Sequence, residues 1–546
     1  MPLPKNMVTA VYEPSCIPQY KDNPLIEALP SLMDNAKVIS NLTGEVQFDP
    51  KAIFADGRER AHVISSLLDD FFQPLTSHIQ LEEKVSIMMR QGYVGRNLAD
   101  GSLNTHMQNG YERVMTGELK AFKFEHAKST ASSLSLIGCS GSGKTTTLAR
   151  IFATYPQVIY HEEHNFTQIT YLKVDCPHDG TLKNLCIQFF RAIDRVLHTD
   201  YEAKYTGKRH GIEKLLAMMS QVANLHAIGV LIIDEIQHLD RRRSGGVEKM
   251  LNFFVTLVNT IGLPVIFVGT PKARPIFEKD LRSARRGAGL GALIWEPMKA
   301  PESSPRAQNE WRAFTNKLWK YQWLQKRDEA IDEDLRAHWF DLSQGVLDIV
   351  VKLFVLSQLR AISTHAERIT PRLMQQVYDD ELKPVHPMLA ALRSGDPERI
   401  AEYSDLIVPN IDEKLLELTA SIKPHVLAAH NTSFLEGNSQ AQRLYNLLVA
   451  MDCDEEIAER LVERVLDEFP DLSTPQMIAT ALELYESSDK PRKSPKVKTV
   501  PQKKWHTLES EDLRFMFSEN GPDEMYEQLK RNSMIFDVED WLRKSG

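Results

Sequence analysis

Two spacings of apolar residues alternate between residues 126 and 304. Short runs fit strands. They are Leu134, Leu136 and Ile137, then an alternating stretch 168–175, then Val230-Leu231-Ile232-Ile233, then 264–270, with Ala292-Leu293-Ile294-Trp295 as a candidate fifth. The four unbroken apolar residues at 230–233 read as a strand buried on both faces, the habit of a parallel sheet. Between these runs the spacing turns helical, over 146–152, 181–196, 211–227 and 247–260. Strands alternating with helices predict a right-handed, mostly parallel α/β sheet.

From about 305 the pattern is helical throughout, clearest over 311–325, 332–340, 346–362 and 372–382. Thr370-Pro371 reads as a cap followed by a first-turn proline. Residues 383–387 break the run, and 388–490 bring more helices, strongly acidic over 452–468. Residues 492–504 are basic and lack apolar periodicity, as a flexible linker would. From Trp505 to Gly546 aromatic and apolar residues return, which suggests a short docking tail. At the other end, Pro14, Pro18, Pro24 and Pro30 punctuate a stretch expected to hold extended segments and short helices and no packed domain. Residues 61–125 are helical, and Gly92-Tyr93-Val94-Gly95-Arg96-Asn97 reads as a surface turn. The expected divisions are 1–125, 126–304, 305–387, 388–490 and 491–546.

Length and composition narrow the class. A chain of 546 residues exceeds a single core and predicts roughly two to four domains. With 42% hydrophobic and 25% charged residues it has the balance of a soluble globular protein. Its apolar runs fall far short of the roughly 20 residues needed to span a bilayer. Met-Pro-Leu-Pro-Lys-Asn is not followed by a signal core, and the five cysteines form no C-x-x-C pair, so a cytoplasmic protein with reduced thiols is expected. The net charge of −9 argues against a globally basic nucleic-acid binder and leaves room for local basic patches.

The chemistry gathers at strand ends. Gly138-Cys139-Ser140-Gly141-Ser142-Gly143-Lys144-Thr145, followed by Thr146, fits the phosphate-binding pattern G-x-x-x-x-G-K-[ST] between a strand and a helix. Its glycines let successive N–H groups face an anion, and the helix start adds its positive dipole end. Lys144 can reach the β- and γ-phosphates of ATP, and the Thr145 hydroxyl can ligate Mg²⁺. Asp234 ends the most apolar strand, where it can hold the Mg²⁺ shell. Glu235 beside it can orient and deprotonate a water, which favours hydrolysis over simple phosphoryl transfer. Thr270 ends the next strand and reads either as a sensor of the γ-phosphate or as a turn cap. Arg282, Arg285 and Arg286 form a cluster from which one guanidinium could complete a neighbouring subunit's site, or which is a solvated helix end. Lys204, Lys208 and Arg209, and separately Arg241, Arg242 and Arg243, could contact a DNA backbone without reading bases, or be solvated faces.

Assembled, the phosphate loop, Asp234-Glu235-Ile236-Gln237-His238-Leu239, Gly269-Thr270-Pro271-Lys272 and 282–289 resemble TnsC, the AAA+ regulator ATPase of Tn-seven-like transposons. The resemblance is close over 23–409, weaker over 410–490, and returns in outline in the tail. It implies a P-loop AAA+ (ASCE) parallel sheet core with a helical lid and helical N- and C-terminal extensions. It also implies an ATP-bound homo-oligomer, ring or filament, on double-stranded DNA. Such an assembly bridges a target-selector protein of the TniQ/TnsD type, met by the N-terminal region, to transposase subunits TnsA and TnsB, met by the tail. One departure stands out: Asp348 occupies the lid position where many relatives place a sensing arginine, with Lys352 one turn on as a candidate substitute. The competing readings are a replication-initiator or helicase-loader ATPase, and a metabolic phosphotransferase.

Overall fold

A computed structural model describes residues 7–118, 121–124, 130–177, 179–206, 210–239, 253–274, 291–407 and 411–422, with isolated positions beyond. The chain forms two compact units, Met1–His425 and Val426–Gly546. In the second, Leu444, Val462, Val465 and Met477 are buried. The expected basic linker and most of the docking tail lie outside the described residues.

In the first unit, β1 (Met7–Thr9), β2 (Ser133–Ile137), β3 (Val158–His161), β4 (Phe166–Ile169), β5 (Tyr171–Asp175), β6 (Val230–Asp234), β7 (Val265–Gly269) and β8 (Gly291–Ile294) form two sheets. Five strands run parallel in the order β5-β6-β7-β2-β8. β6 and β7 are buried along their whole length, as their unbroken Val/Ile runs require. The order matters for the site: β7 lies between the strand that ends at the phosphate loop and the strand that ends in Asp234. Three strand ends therefore converge on one edge of the sheet.

The alternating stretch 168–175 is not one strand. It changes sheets at Thr170, whose N–H donates to the Gln157 carbonyl at 3.0 Å. β4 before it pairs antiparallel with β3, and β5 after it pairs with β6. Period-two polarity runs unbroken through such a switch, so the pattern cannot reveal it. The strand β1 adds to β3 in parallel.

The proline-punctuated N-terminal stretch is packed, contrary to expectation. Leu25, Ile26, Leu29, Val38 and Leu42 share a core with Leu134, Leu136, Ile232, Ile266 and Val268 of the sheet. The expected surface turn at 92–97 is also buried. Gly92-Tyr93-Val94 closes helix Thr76–Val94, and Tyr93 and Arg96 are 0% and 2% exposed. The Tyr93 hydroxyl donates to the Ala227 carbonyl at 2.8 Å, and Arg96 Nη1 donates to the Ile228 carbonyl at 2.8 Å. These residues anchor a helix to the chain entering β6. Burial pushes the Arg96 guanidinium down to about 10, which leaves it charged at neutral pH.

The helical segment after the sheet builds a second core rich in tryptophan. Helices Pro305–Trp319, Glu333–Ser343, Leu347–Ser363 and Pro371–Glu381 bury Trp311, Trp319, Trp339 and Phe354, with Trp339 stacked on Phe354 at 5.3 Å. The Thr370 cap forms as its sequence predicts: its hydroxyl accepts from the Leu373 N–H at 3.2 Å. Helix Gly57–Ser65 joins this core through a buried ion pair, Arg60 Nη1 to Glu367 Oε2 at 2.7 Å.

Candidate nucleotide site

The phosphate loop leaves β2 at Gly138 and enters helix Lys144–Ala153. Gly138 passes so close to β8 that an added Cβ would stand 2.1 Å from the Trp295 carbonyl oxygen. Gly143 holds φ +89°, in the left-handed region that favours glycine, and so turns the chain into the helix. The loop and the strand ends line a cavity of about 220 Å³.

On the sheet side the lining includes Lys144, Thr145, Thr146, Asp234, Glu235, Gly269 and Thr270. The buried Lys144 ammonium donates to the carbonyls of Gly138 and Cys139, each at 2.8 Å. Burial lowers its proton affinity, and Cys139, Glu235 and Asp234 act the other way. The Thr145 hydroxyl donates to Asp234 Oδ2 at 3.0 Å. The same oxygen lies 3.1 Å from Lys173 Nζ on β5. Burial opposes the charge of Lys173, but Asp234 and Asp175 together raise its pKa. One hydroxyl beside one carboxylate suits Mg²⁺, which keeps several waters and takes other oxygens from phosphates. Among the described residues no cluster of three or more His, Cys, Asp or Glu could hold a metal by itself. Cys139 is buried, and burial pushes its thiol up to about 11, so it fills space in the loop as a neutral group.

Glu235 adopts a left-handed backbone, φ +55°. Its carboxylate accepts from Gln237 Nε2. Thr270 is buried at the end of β7, and its N–H donates to Gln237 Oε1 at 3.1 Å. Both residues face the cavity.

The opposite wall is mainly apolar, and no sequence motif marks it. Leu68, Phe71, Phe72 and His78 come from the N-terminal stretch, and Phe314, Leu347 and Val351 from the helical segment. His78 stacks on Trp295 and tilts against Phe72, with ring centroids 5.4 and 5.0 Å away. Its Nδ1 accepts from the Leu75 N–H at 3.0 Å. Burial drops its pKa to about 4, so it is neutral at physiological pH. Trp295 ties this wall to the loop by donating from Nε1 to the Ser142 carbonyl at 2.8 Å. No local signal marks these residues, since each looks like an ordinary core position.

Two further contacts close the site. The Asp348 N–H donates to the Gly141 carbonyl at 3.0 Å, and the Ser140 N–H donates to the Ser404 carbonyl at 2.7 Å. Beside the latter, Lys272 Nζ reaches both carboxylate oxygens of Asp405 at 2.7 and 2.8 Å. Asp348 thus faces the phosphate loop, and Lys352 pairs with it at 2.7 Å.

The remaining expected residues divide. Lys204 lies on the short helix Tyr201–Thr206, exposed, with its ammonium 5.6 Å from the Tyr205 ring centre. Lys208, Arg209, Arg241, Arg242, Arg243, Arg282, Arg285 and Arg286 lie outside the described residues. Among the described residues no helix is long and apolar enough to cross a membrane.

Comparison with known proteins matches two separate stretches of the chain. Residues 126–277 match the AAA domain family, and residues 500–545 match the family described as Tn7 transposition regulator TnsC. A search of curated proteins finds no match. Among solved structures, a Walker-type ATPase of Pyrococcus abyssi is 14% identical, with 53% of this chain and 84% of that one covered and a TM-score of 0.32. Drosophila ORC bound to DNA is 11% identical over 85% of each chain, with a TM-score of 0.33. A RuvB mutant of Thermotoga maritima is 16% identical, covering 64% of this chain and 97% of that one, with a TM-score of 0.26. Scores this low add nothing to the assignment, which rests on the two family matches and the site. An AAA domain match followed by a TnsC match in the tail supports a TnsC-like AAA+ ATPase.

Proposed function

We propose that the protein is an ATP-switched, DNA-bound regulator of transposition. The observation that carries this reading is that one cavity is lined by four parts of the chain, the phosphate loop, the sheet edge, the lid helix Leu347–Ser363 and the N-terminal stretch, while the Ser404 carbonyl holds the phosphate loop at the Ser140 N–H. A nucleotide there would touch each lining element and would reach the Ser404–Asp405 segment through the phosphate loop. In this reading Lys144 leaves the carbonyls of Gly138 and Cys139 to hold the β- and γ-phosphates. Gly138, Cys139, Ser140, Gly141, Ser142, Gly143 and Thr146 shape the cradle. Thr145 and Asp234 hold Mg²⁺, which when bound neutralises charge on the phosphates. Glu235 orients the attacking water, and Thr270 senses the γ-phosphate.

One of Arg282, Arg285 and Arg286 completes the site of a neighbouring subunit. Lys204, Lys208, Arg209, Arg241, Arg242 and Arg243 contact the backbone of double-stranded DNA, so binding weakens steeply with salt. The ATP-bound homo-oligomer then bridges a target selector of the TniQ/TnsD type and the transposase subunits TnsA and TnsB. The tail's family match supports the last of these contacts.

Electron microscopy with a non-hydrolysable ATP analogue, with and without duplex DNA, tests the reading. A ring or filament threaded by DNA is expected. A monomer indifferent to DNA would overturn it.

A further inference from the structure

The chain after β6 makes a tight reversal. Glu235 takes φ +55°, and the single turn Ile236–His238 follows at once. The reversal carries Gln237 back between the ends of β6 and β7. Its side-chain amide is used at both ends. Nε2 donates to Glu235 Oε2, and Oε1 accepts the Thr270 N–H at 3.1 Å. The amide cannot be turned over, because that would set its NH₂ against an N–H and its oxygen against a carboxylate. Room for it comes from Gly269: a Cβ there would stand 3.0 Å from Gln237 Oε1 and 2.7 Å from Ile236 Cγ2.

The Glu235 side chain otherwise has much freedom. It is 51% exposed, and His238 Nε2 stands 3.9 Å from it. A flexible carboxylate loses rotamer entropy when fixed, and a general base must sit within hydrogen-bond reach of its water. We propose that Gln237 is a positioning residue for ATP hydrolysis: it aims the Glu235 carboxylate and locks it to the strand end that carries Thr270, so that the two act as one unit. The inference rests on the reading of Glu235 as the residue that orients the water.

The test is steady-state ATPase kinetics of the full chain, with duplex DNA present, for Gln237→Ala, Gln237→Glu, Glu235→Gln and the double variant Glu235→Gln/Gln237→Ala. A misplaced base costs on the order of 10²-fold in rate. Gln237→Ala is expected to lower kcat by about 10- to 100-fold and to leave the KM for ATP within about threefold. Gln237→Glu has the same shape and keeps an acceptor for Thr270, but it offers no donor and sets a second carboxylate against Glu235. It should lose as much rate while its thermal midpoint stays near that of the parent. In the Glu235→Gln background, Gln237→Ala should cost nothing more, because there is no base left to aim. Glu235→Gln inactive with Gln237→Ala at full kcat would overturn the positioning role alone. The same full cost of Gln237→Ala in both backgrounds would also overturn it, by making the glutamine merely structural. Undiminished hydrolysis by Glu235→Gln would instead remove the base assignment, and this inference with it.

Discussion

On its sheet side, the nucleotide cavity is lined by Lys144, Thr145, Asp234, Glu235 and Thr270, delivered by the ends of three neighbouring strands. On the facing side it is lined by Leu68, Phe71 and Phe72, and by Phe314, Leu347 and Val351, drawn from stretches far apart in the chain. The first wall is polar and is fixed by backbone geometry: a glycine turn, a helix start and strand ends in register. The second is mainly apolar and exists only once the N-terminal stretch and the lid have packed together. The first wall can act on charge that develops at the γ-phosphate. The apolar side chains of the second hold the ligand by contact and exclusion of water. The difference predicts that damage to the sheet wall lowers turnover, whereas damage to the apolar wall weakens binding or the fold.

The largest effect belongs to Lys144. Its ammonium is buried and held by two carbonyls of its own loop, and in the proposed role it exchanges them for the β- and γ-phosphates of ATP. Lys144→Ala should reduce ATP hydrolysis on the order of 10³-fold. It should also abolish ATP-dependent DNA association, measured by filter binding with labelled duplex. Turnover within tenfold of the parent would mean that the polar wall does not govern the chemistry.

The apolar wall should fail first through the fold. Arg60 holds Glu367 by two hydrogen bonds at 2.7 and 2.8 Å, and Glu367 also accepts from the Gln325 N–H at 3.1 Å. This clamp ties helix Gly57–Ser65, just before Leu68, to the helical segment that supplies Phe314 and Leu347. Burial alone would raise the Glu367 pKa, but the Arg60 and Gln325 hydrogen bonds and the Arg60 charge hold it below the usual carboxylate range. The folded form thus binds this proton less readily than the unfolded one. The stabilisation is present above the unfolded value, about 4.3, and is lost as the pH falls through the lower folded value. Glu367→Gln leaves Arg60 buried without its counter-charge and should cost about 3 kcal/mol at neutral pH. Denaturant unfolding should show this loss, and the gap between variant and parent should shrink below about pH 4. A constant gap across that range would mean that packing, and not the ion pair, joins the two segments.

The same contrast explains what could be read in advance. The polar wall was legible because each residue sits inside a short motif, where spacing implies geometry: Lys144 and Thr145 at a helix start, Asp234 and Glu235 after four apolar residues, Thr270 after the next strand. The parallel sheet followed from unbroken Val/Ile runs for the same reason. The sheet switch at Thr170 was hidden because alternation continues through it. Tyr93 and Arg96 were misread because a Gly-rich hexapeptide with a polar end looks like a surface turn, while their partners, the carbonyls of Ala227 and Ile228, lie more than a hundred residues away. Phe71, Phe72 and His78 carried no signal, because an apolar side chain that faces a ligand is indistinguishable in sequence from one that faces the core. Gln237 lies inside the Asp234–Leu239 motif, but its role depends on where the end of β7 falls beside it.

The smallest effect, and the sharpest test of the division, is at Leu347. This residue opens the lid helix and is only partly buried, so its loss should spare the fold. Its Cδ1 stands 3.4 Å from the place a Cβ on Gly143 would take, and its side chain lines the cavity beside the phosphate loop. Leu347→Ala removes three carbon atoms, of which only part becomes covered when nucleotide binds. At roughly 0.8 kcal/mol per buried methylene, a loss near 1.4 kcal/mol follows, about tenfold in KM for ATP. The contact is the same in ground and transition states, so kcat should stay within about twofold. Yet the next residue, Asp348, donates its N–H to the Gly141 carbonyl, so the helix also touches the glycine-rich loop. If Leu347→Ala lowered kcat at constant KM, the lid would be acting on the chemistry through that bond, and the apolar wall could no longer be treated as a passive surface for the nucleotide.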